Sequence, residues 1–177
     1  MIHRMIKATI LTEDDPVELL EGRIVFKARQ TPRAACTVGL IRDCLEILEP
    51  SGWTTRCRSA VTLIDSEPEP EVAVVRGDRN YLDHHPGCAE IGLIVEVADL
   101  ALSICQNEKK RLYARSNIPY YWFVNLIDHQ LGCYSNPTGP DPNPVYRHRV
   151  DYKVGDGLPL QLPGQAPILL AVQDFLS

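Results

Sequence analysis

Glu71, Glu96 and Lys109 are the residues whose types and spacing are best suited to chemistry. Glu71 opens the apolar run EVAVV, and Glu96 interrupts the apolar run IGLIVEV near its end. A carboxylate within an apolar strand costs several kcal/mol unless it is paired or bound to a cation. A divalent cation relieves the repulsion between two such carboxylates, and Mg²⁺ favours one or two of them together with water and phosphate. The alternative is structural, with Glu71 solvated at a strand start and Glu96 paired with an arginine.

Lys109 and Glu18 are candidate members of the same site. Lys109 lies on a predicted helix, four residues before Tyr113. Such a lysine usually points to water, but a helix that crosses the sheet edge would bring the ammonium group to developing negative charge. Lys110 is the neighbouring alternative and faces about 100° away. Glu18 is a fourth candidate, and the simpler interpretation of this residue is a solvated helix face.

Apolar periodicity predicts the elements that must position these residues. A capping Thr12 followed by acidic residues predicts a short helix that carries Glu18 and ends at Gly22. The other predicted helices are Pro32–Glu49, with Cys36, Leu40, Cys44, Leu45 and Leu48 on its apolar side, and Leu102–Ser116. The predicted strands are Arg23–Lys27, one or two within Trp53–Ile64, Glu71–Val75, Ile91–Val97, Tyr121–Leu126 and His129–Tyr134. A proline-rich loop is predicted at Asn136–Pro144.

This order predicts an α/β fold with a mixed β-sheet flanked by helices, in a single domain spanning residues 1–177. It is not a regular βαβ alternation, and no GxGxxG or GxxxxGK[ST] string is present, which argues against a doubly wound nucleotide-binding fold. An apolar content of 45% and a charged content of 23% are ordinary for a soluble protein. No apolar run reaches the roughly 18–20 residues that cross a bilayer, and we expect a cytoplasmic protein with no membrane partner.

Cysteine spacing and net charge exclude two further classes of function. The six cysteines contain no CxxC pair or zinc-ligand spacing, which predicts buried free thiols in a reducing compartment. The net charge of −5 argues against a protein that coats nucleic acid electrostatically. It leaves open an enzyme that binds phosphate locally through a metal.

Four segments, taken in order, resemble the Uma-type family of putative bacterial restriction endonucleases, within the PD-(D/E)xK superfamily. The segments are ELLEGRIV (Glu18–Val25), SEPEPEVAVV (Ser66–Val75), LIVEVAD (Leu93–Asp99) and KKRLYARSNIPYYWFVN (Lys109–Asn125). The resemblance implies a restriction-endonuclease-like mixed sheet flanked by helices, with additional β-strands, and a homodimer that acts on DNA. It also implies a site that uses Mg²⁺ or Mn²⁺.

The resemblance assigns roles to the same residues. Glu71 and Glu96 would bind the metal, Lys109 would occupy the position of a catalytic lysine that has moved to the following helix, and Glu18 would be the opening glutamate. Three residues depart from the family pattern: Glu71 stands in place of an aspartate, Cys105 in place of an aspartate, and Tyr120 in place of a glutamate.

The leading hypothesis is therefore metal-dependent hydrolysis of DNA phosphodiester bonds, with Glu71, Glu96, Lys109 and Glu18 as catalytic residues. The alternative is a catalytically weakened or inactive homologue that acts as a DNA-binding or protein-interaction module. Cys105 favours this alternative, because a thiol is a poor ligand for hard Mg²⁺. A third hypothesis is a metal-dependent hydrolase acting on another phosphoester.

Overall fold

The fold is taken from a computed structural model that describes residues 2–12, 14–27, 29–77, 81–99 and 104–176; within these, the side chains of residues 2–4, 49–51 and 104–106 are not described. The helices are α1 (Ile2–Lys7), α2 (Pro32–Leu45) and α3 (Ile104–Arg115). The strands are β1 (Val17–Leu20), β2 (Arg23–Phe26), β3 (Trp53–Cys57), β4 (Val72–Arg76), β5 (Ile91–Ala98), β6 (Tyr120–Asn125), β7 (Gln130–Pro137), β8 (Tyr146–Tyr152), β9 (Gly157–Leu160) and β10 (Ile168–Ala171). In these ranges no helix has the length and apolar character needed to cross a bilayer.

Six strands form one mixed sheet in the order β3-β4-β5-β6-β7-β8. Its neighbouring strands are antiparallel except β5 and β6, which run parallel. Parallel strands need a crossover connection, and α3 supplies it between β5 and β6. The strands β4, β5 and β6 are almost continuously buried, which explains their long apolar runs. The predicted α/β fold with a mixed sheet flanked by helices is thus confirmed.

Both faces of the sheet are covered. One face packs against α2 and the antiparallel pair β9–β10, through side chains such as Val38 and Leu160. The other face packs against α3 and the β1–β2 hairpin, through side chains such as Leu112 and Leu20. The second of these faces carries the site described below.

The short helix predicted to carry Glu18 is wrong, because Val17–Leu20 is strand β1 of a hairpin. The two turn residues, Glu21 and Gly22, have φ values of 48° and 74°. Positive φ at both central residues is the mark of a type I′ turn, whose twist matches that of the flanking strands. Gly22 therefore ends a strand rather than a helix. The side chain of Asp15 accepts from the backbone N–H of Thr12 in a local turn, and no helix begins there.

The helix predicted from Pro32 is confirmed, with Thr31 as the capping residue that accepts from the backbone N–H of Ala34. Its predicted apolar face is partly wrong, since Cys36 and Leu40 are exposed and the buried face includes Val38. The five cysteines with described side chains are free, as predicted. The expectation that such thiols are buried fails at Cys36 and holds in part for the other four.

Candidate active site

The register of the sheet brings Glu71 and Glu96 together. Val72 of β4 pairs with Val95 of β5, so the same antiparallel register places Glu71, one residue earlier, across from Glu96. Side chains opposite each other on paired strands project from the same face. Ile94, two residues before Glu96, belongs to the core on the α3 side, and both glutamates therefore face α3.

The β1–β2 hairpin brings Glu18 to the same place. Glu18 is buried, with 4% of its surface exposed. Three ion pairs fasten the hairpin and its turn to α3: Arg111 with Glu21, Arg115 with Glu21, and Arg23 with Glu108. The backbone N–H of Glu69 donates to Oε2 of Glu18 at 3.1 Å, which fixes the carboxylate against the chain that leads to Glu71.

Lys109 lies between two carboxylates. Its Nζ is 3.0 Å from Oε2 of Glu18 and 3.2 Å from Oε1 of Glu96. Its side chain is only 12% exposed. Burial acts to lower the pKa of Lys109, but the carboxylates of Glu96 and Glu18 outweigh burial and raise it, so the ammonium form is held. The structure thus selects Lys109 over Lys110, which lies beside the ring of Tyr134.

Tyr113 completes the contacts of Glu96. Its hydroxyl donates to Oε1 of Glu96 at 2.9 Å, the same oxygen that Lys109 contacts. Burial raises the pKa of Glu96 to about 7, against the lowering effect of Lys109. Burial also raises the pKa of Tyr113 well above its usual value, so this hydroxyl remains a donor.

Glu71 lies at the outer side of this cluster. Nε2 of Gln30 donates to Oε2 of Glu71 at 2.7 Å, and Nε of Arg58 lies 3.9 Å from the same oxygen. Burial raises the pKa of Glu71, while Arg58 and Lys109 lower it and Glu18 raises it further. Glu71 therefore shares the electrostatic environment of Glu18, Glu96 and Lys109, although its direct contacts are with other residues.

The charges at the site suit an added cation. Two carboxylates, Glu18 and Glu96, contact the one buried ammonium group, and burial raises the pKa of Glu96 and of the neighbouring Glu71. Within the described part of the chain, there is no group of three or more His, Cys, Asp or Glu side chains that could hold a metal ion. Mg²⁺ does not require one, because it keeps several waters and takes one or two carboxylates. Carboxylate oxygens are ligands that a hard divalent cation accepts, and binding of such a cation here stays a prediction.

Two other residues were singled out from the sequence, Cys105 and Tyr120. The side chain of Cys105 lies outside the described residues, so its predicted effect on the site stays a prediction. Tyr120, in place of the family's usual glutamate, opens β6 and packs against the core on the α2 side.

Sequence reasoning missed Tyr113, Gln30 and Arg58 as neighbours of the carboxylates. Tyr113 carried a usable signal, because residues four apart share one face of a helix and Lys109 is its partner at that spacing. Gln30 and Arg58 carried none, since each lies in a connecting segment whose path only the tertiary structure fixes.

The comparisons with known proteins show the family and the fold of the chain. The model of the Uma2 family, described as putative restriction endonuclease, matches residues 3–168. The fold is similar to the crystal structure of a putative nuclease belonging to DUF820 from Anabaena variabilis. The TM-score is 0.70 at 14% identity, with 97% of this chain and 96% of that chain covered, a likeness that shows the fold. No curated protein matches the chain.

The family match extends over nearly all of the sequence, and the fold similarity covers almost the whole of both chains. The restriction-endonuclease-like fold expected from the four segments is therefore confirmed. The chain belongs to the Uma2 family of putative restriction endonucleases.

Proposed function

We propose that this protein is a metal-dependent endonuclease that hydrolyses DNA phosphodiester bonds at the cluster of Glu18, Glu71, Glu96 and Lys109. The observation that carries the proposal is the excess of buried carboxylate around one lysine, at a single edge of the sheet. Two buried carboxylates share the charge of Lys109, and Glu71 adds a third beside them with only the half-exposed Arg58 at 3.9 Å, so Lys109 alone does not balance the acidic charge. The family and the fold support the choice of a nuclease over another hydrolase.

Glu71 and Glu96 are the residues that would hold Mg²⁺ or Mn²⁺, because the register places them opposite each other on one face. Such a cation supplies Lewis-acid polarisation of the phosphate and activation of a water molecule. Lys109 places a permanent positive charge beside the reacting centre, where it stabilises the charge that develops on the phosphate. Glu18 is the second carboxylate in contact with Lys109 and helps to keep its ammonium group at the site.

Cationic side chains around the carboxylates would receive the DNA backbone. Arg58 is half exposed and lies 3.9 Å from Glu71. Lys27 is paired with Glu69. Arg33 contacts Asp99, which follows β5 directly. Local cations of this kind position phosphates even in a chain whose net charge is −5.

The test is nicking of supercoiled plasmid by purified protein in Mn²⁺ or Mg²⁺. We expect cleavage that disappears with chelator and with Glu96→Ala. Glu46→Ala, at an exposed glutamate just after α2, is the matched control and should cleave like the wild type. Cleavage that survives Glu96→Ala would assign the activity to another site or to a contaminating nuclease, and would overturn the proposal.

The second candidate is a non-catalytic homologue that uses the fold to bind DNA or protein. It is favoured by one observation, the contact of Lys109 with both Glu18 and Glu96, which neutralises part of the site internally. This candidate predicts that millimolar Mn²⁺ does not change the melting temperature. A Mn²⁺-induced stabilisation that is lost in Glu71→Ala would count against it.

A further inference from the structure

We infer that Tyr113 is a positioning residue of the proposed site, which fixes the carboxylate of Glu96 so that one oxygen faces Lys109 and the other is left for the cation. The inference rests on the proposed function and extends it to a residue that touches no substrate. It concerns a single hydroxyl group and can be tested by removing that group alone.

Tyr113 and Lys109 contact the same oxygen of Glu96. Oε1 of Glu96 accepts from the hydroxyl of Tyr113 at 2.9 Å and lies 3.2 Å from Nζ of Lys109. Two donors from one helix face, four residues apart, prevent the carboxylate from turning about its last bond. Oε2 is then the oxygen through which Glu96 reaches a cation.

The ring of Tyr113 is held rigidly by its surroundings. The residue has no exposed surface, and its ring centroid is 5.6 Å from that of Tyr121. Its neighbours in the core include Leu20 and Phe123, so the ring has no room to swing. The hydroxyl therefore holds the position of Glu96 more firmly than a flexible lysine does.

Glu18 is held in the same way, by two donors to one of its oxygens. Oε2 of Glu18 contacts Nζ of Lys109 and also accepts from the backbone N–H of Glu69. In both Glu18 and Glu96, therefore, one carboxylate oxygen contacts Lys109 and also accepts from a second, immobile donor. For Glu18 the donor is backbone, which substitution does not remove; for Glu96 it is Tyr113.

The fold offers a matched control in Tyr121. This tyrosine is also buried and lies in the same aromatic cluster, but its hydroxyl has no hydrogen-bond partner among the described residues. Tyr113→Phe and Tyr121→Phe each remove one buried hydroxyl from neighbouring rings and leave the packing volume almost unchanged. Only the first removes a hydrogen bond to Glu96.

The experiment has two readouts that do not depend on cleavage. The first is the metal-free crystal structure of each variant, in which we expect the Glu96 carboxylate to turn or split into two conformers in Tyr113→Phe only. The second is the dissociation constant for Mn²⁺ by calorimetry. It should rise about tenfold or more in Tyr113→Phe, the usual effect of removing a group that orients a metal ligand, and stay unchanged in Tyr121→Phe.

The outcomes separate this inference from the proposed function. An unmoved Glu96, or an unchanged Mn²⁺ affinity in Tyr113→Phe, overturns the role of Tyr113 and leaves the nuclease proposal standing. A wild type that binds no Mn²⁺ overturns the nuclease proposal, and the inference falls with it as a statement about a metal site. A turned Glu96 together with weakened Mn²⁺ binding supports both.

Discussion

Replacing Lys109 by methionine tests the charge arrangement of the site without any assay of activity. The substitution keeps the length and most of the volume of the side chain and removes its charge. The structure places that charge 3.0 Å from Glu18 and 3.2 Å from Glu96, with the lysine side chain 12% exposed. Lys109→Met therefore leaves two buried carboxylates without their common counter-ion.

The expected loss follows from this burial. Removing one partner of a buried ion pair costs about 3–5 kcal/mol. Proton uptake by Glu96, whose pKa burial already raises to about 7, limits the cost. We expect a loss at the lower end, about 3 kcal/mol. For a chain of this size each kcal/mol lowers the melting temperature by about 2–4 °C, so the change should be roughly 6–12 °C.

The assay is urea denaturation with and without millimolar Mn²⁺, since a cation bound at the vacated position would replace the missing charge. Mn²⁺ should therefore stabilise Lys109→Met more than the wild type. Lys110→Met is the control: its side chain lies over Tyr134, and its loss should cost about 1 kcal/mol or less. Equal, small losses in both variants would refute the buried charge cluster on which the account of the site depends.

Three further predictions concern the fold. Gly92→Ala should cost about 1–3 kcal/mol or more by denaturation, because the added Cβ would lie 2.6 Å from a ring carbon of the buried Trp53. Gly39→Ala, in α2 with nothing within 4 Å of the added Cβ, should instead stabilise by about 0.5–1 kcal/mol. At pH 8, peptide mass spectrometry should find the exposed Cys36 alkylated before Cys133, because burial raises the pKa of Cys133; faster labelling of Cys133 would contradict its burial.

The sequence predicted the central sheet because its strands are buried on both faces. Such strands consist of unbroken apolar, β-branched residues, a pattern that differs from the periodicity of a surface helix. A charged residue in such a run stands out, and Glu96 was found in this way. The pairing of Glu71 with Glu96 was expected from their positions on consecutive strands, and extending the register of Val72 with Val95 by one residue places them opposite each other.

The strand β1, which carries Glu18, could not be distinguished from a helix by the spacing of its apolar residues. Four residues, Val17–Leu20, are too few to separate a period of two from one of 3.6. Gly22 suits both the end of a helix and a type I′ turn. The β1 strand is fixed by its pairing with β2 and by the burial of all four of its residues, and both are tertiary facts.

The partners of the site residues were hidden for a related reason. A tyrosine on the apolar side of a helix is expected to be a core residue, and only the packing of α3 on β5 brings the hydroxyl of Tyr113 to Glu96. The contact between Lys109 and Glu18 joins two distant parts of the chain, through strand β1, a segment that had been predicted as a helix. Residue type thus suggested the members of the proposed site, whereas the way in which they contact one another required the fold.

The central claim is that Glu71 and Glu96 bind a divalent cation beside Lys109, and a crystal soaked in Mn²⁺ tests it most directly. We expect an anomalous difference peak about 2.0–2.4 Å from a carboxylate oxygen of each glutamate, the range of carboxylate ligation to hard divalent cations. The peak should be absent in Glu96→Ala. A fully soaked crystal with no peak at this edge of the sheet, and with Lys109 still seated between Glu18 and Glu96, would contradict the account.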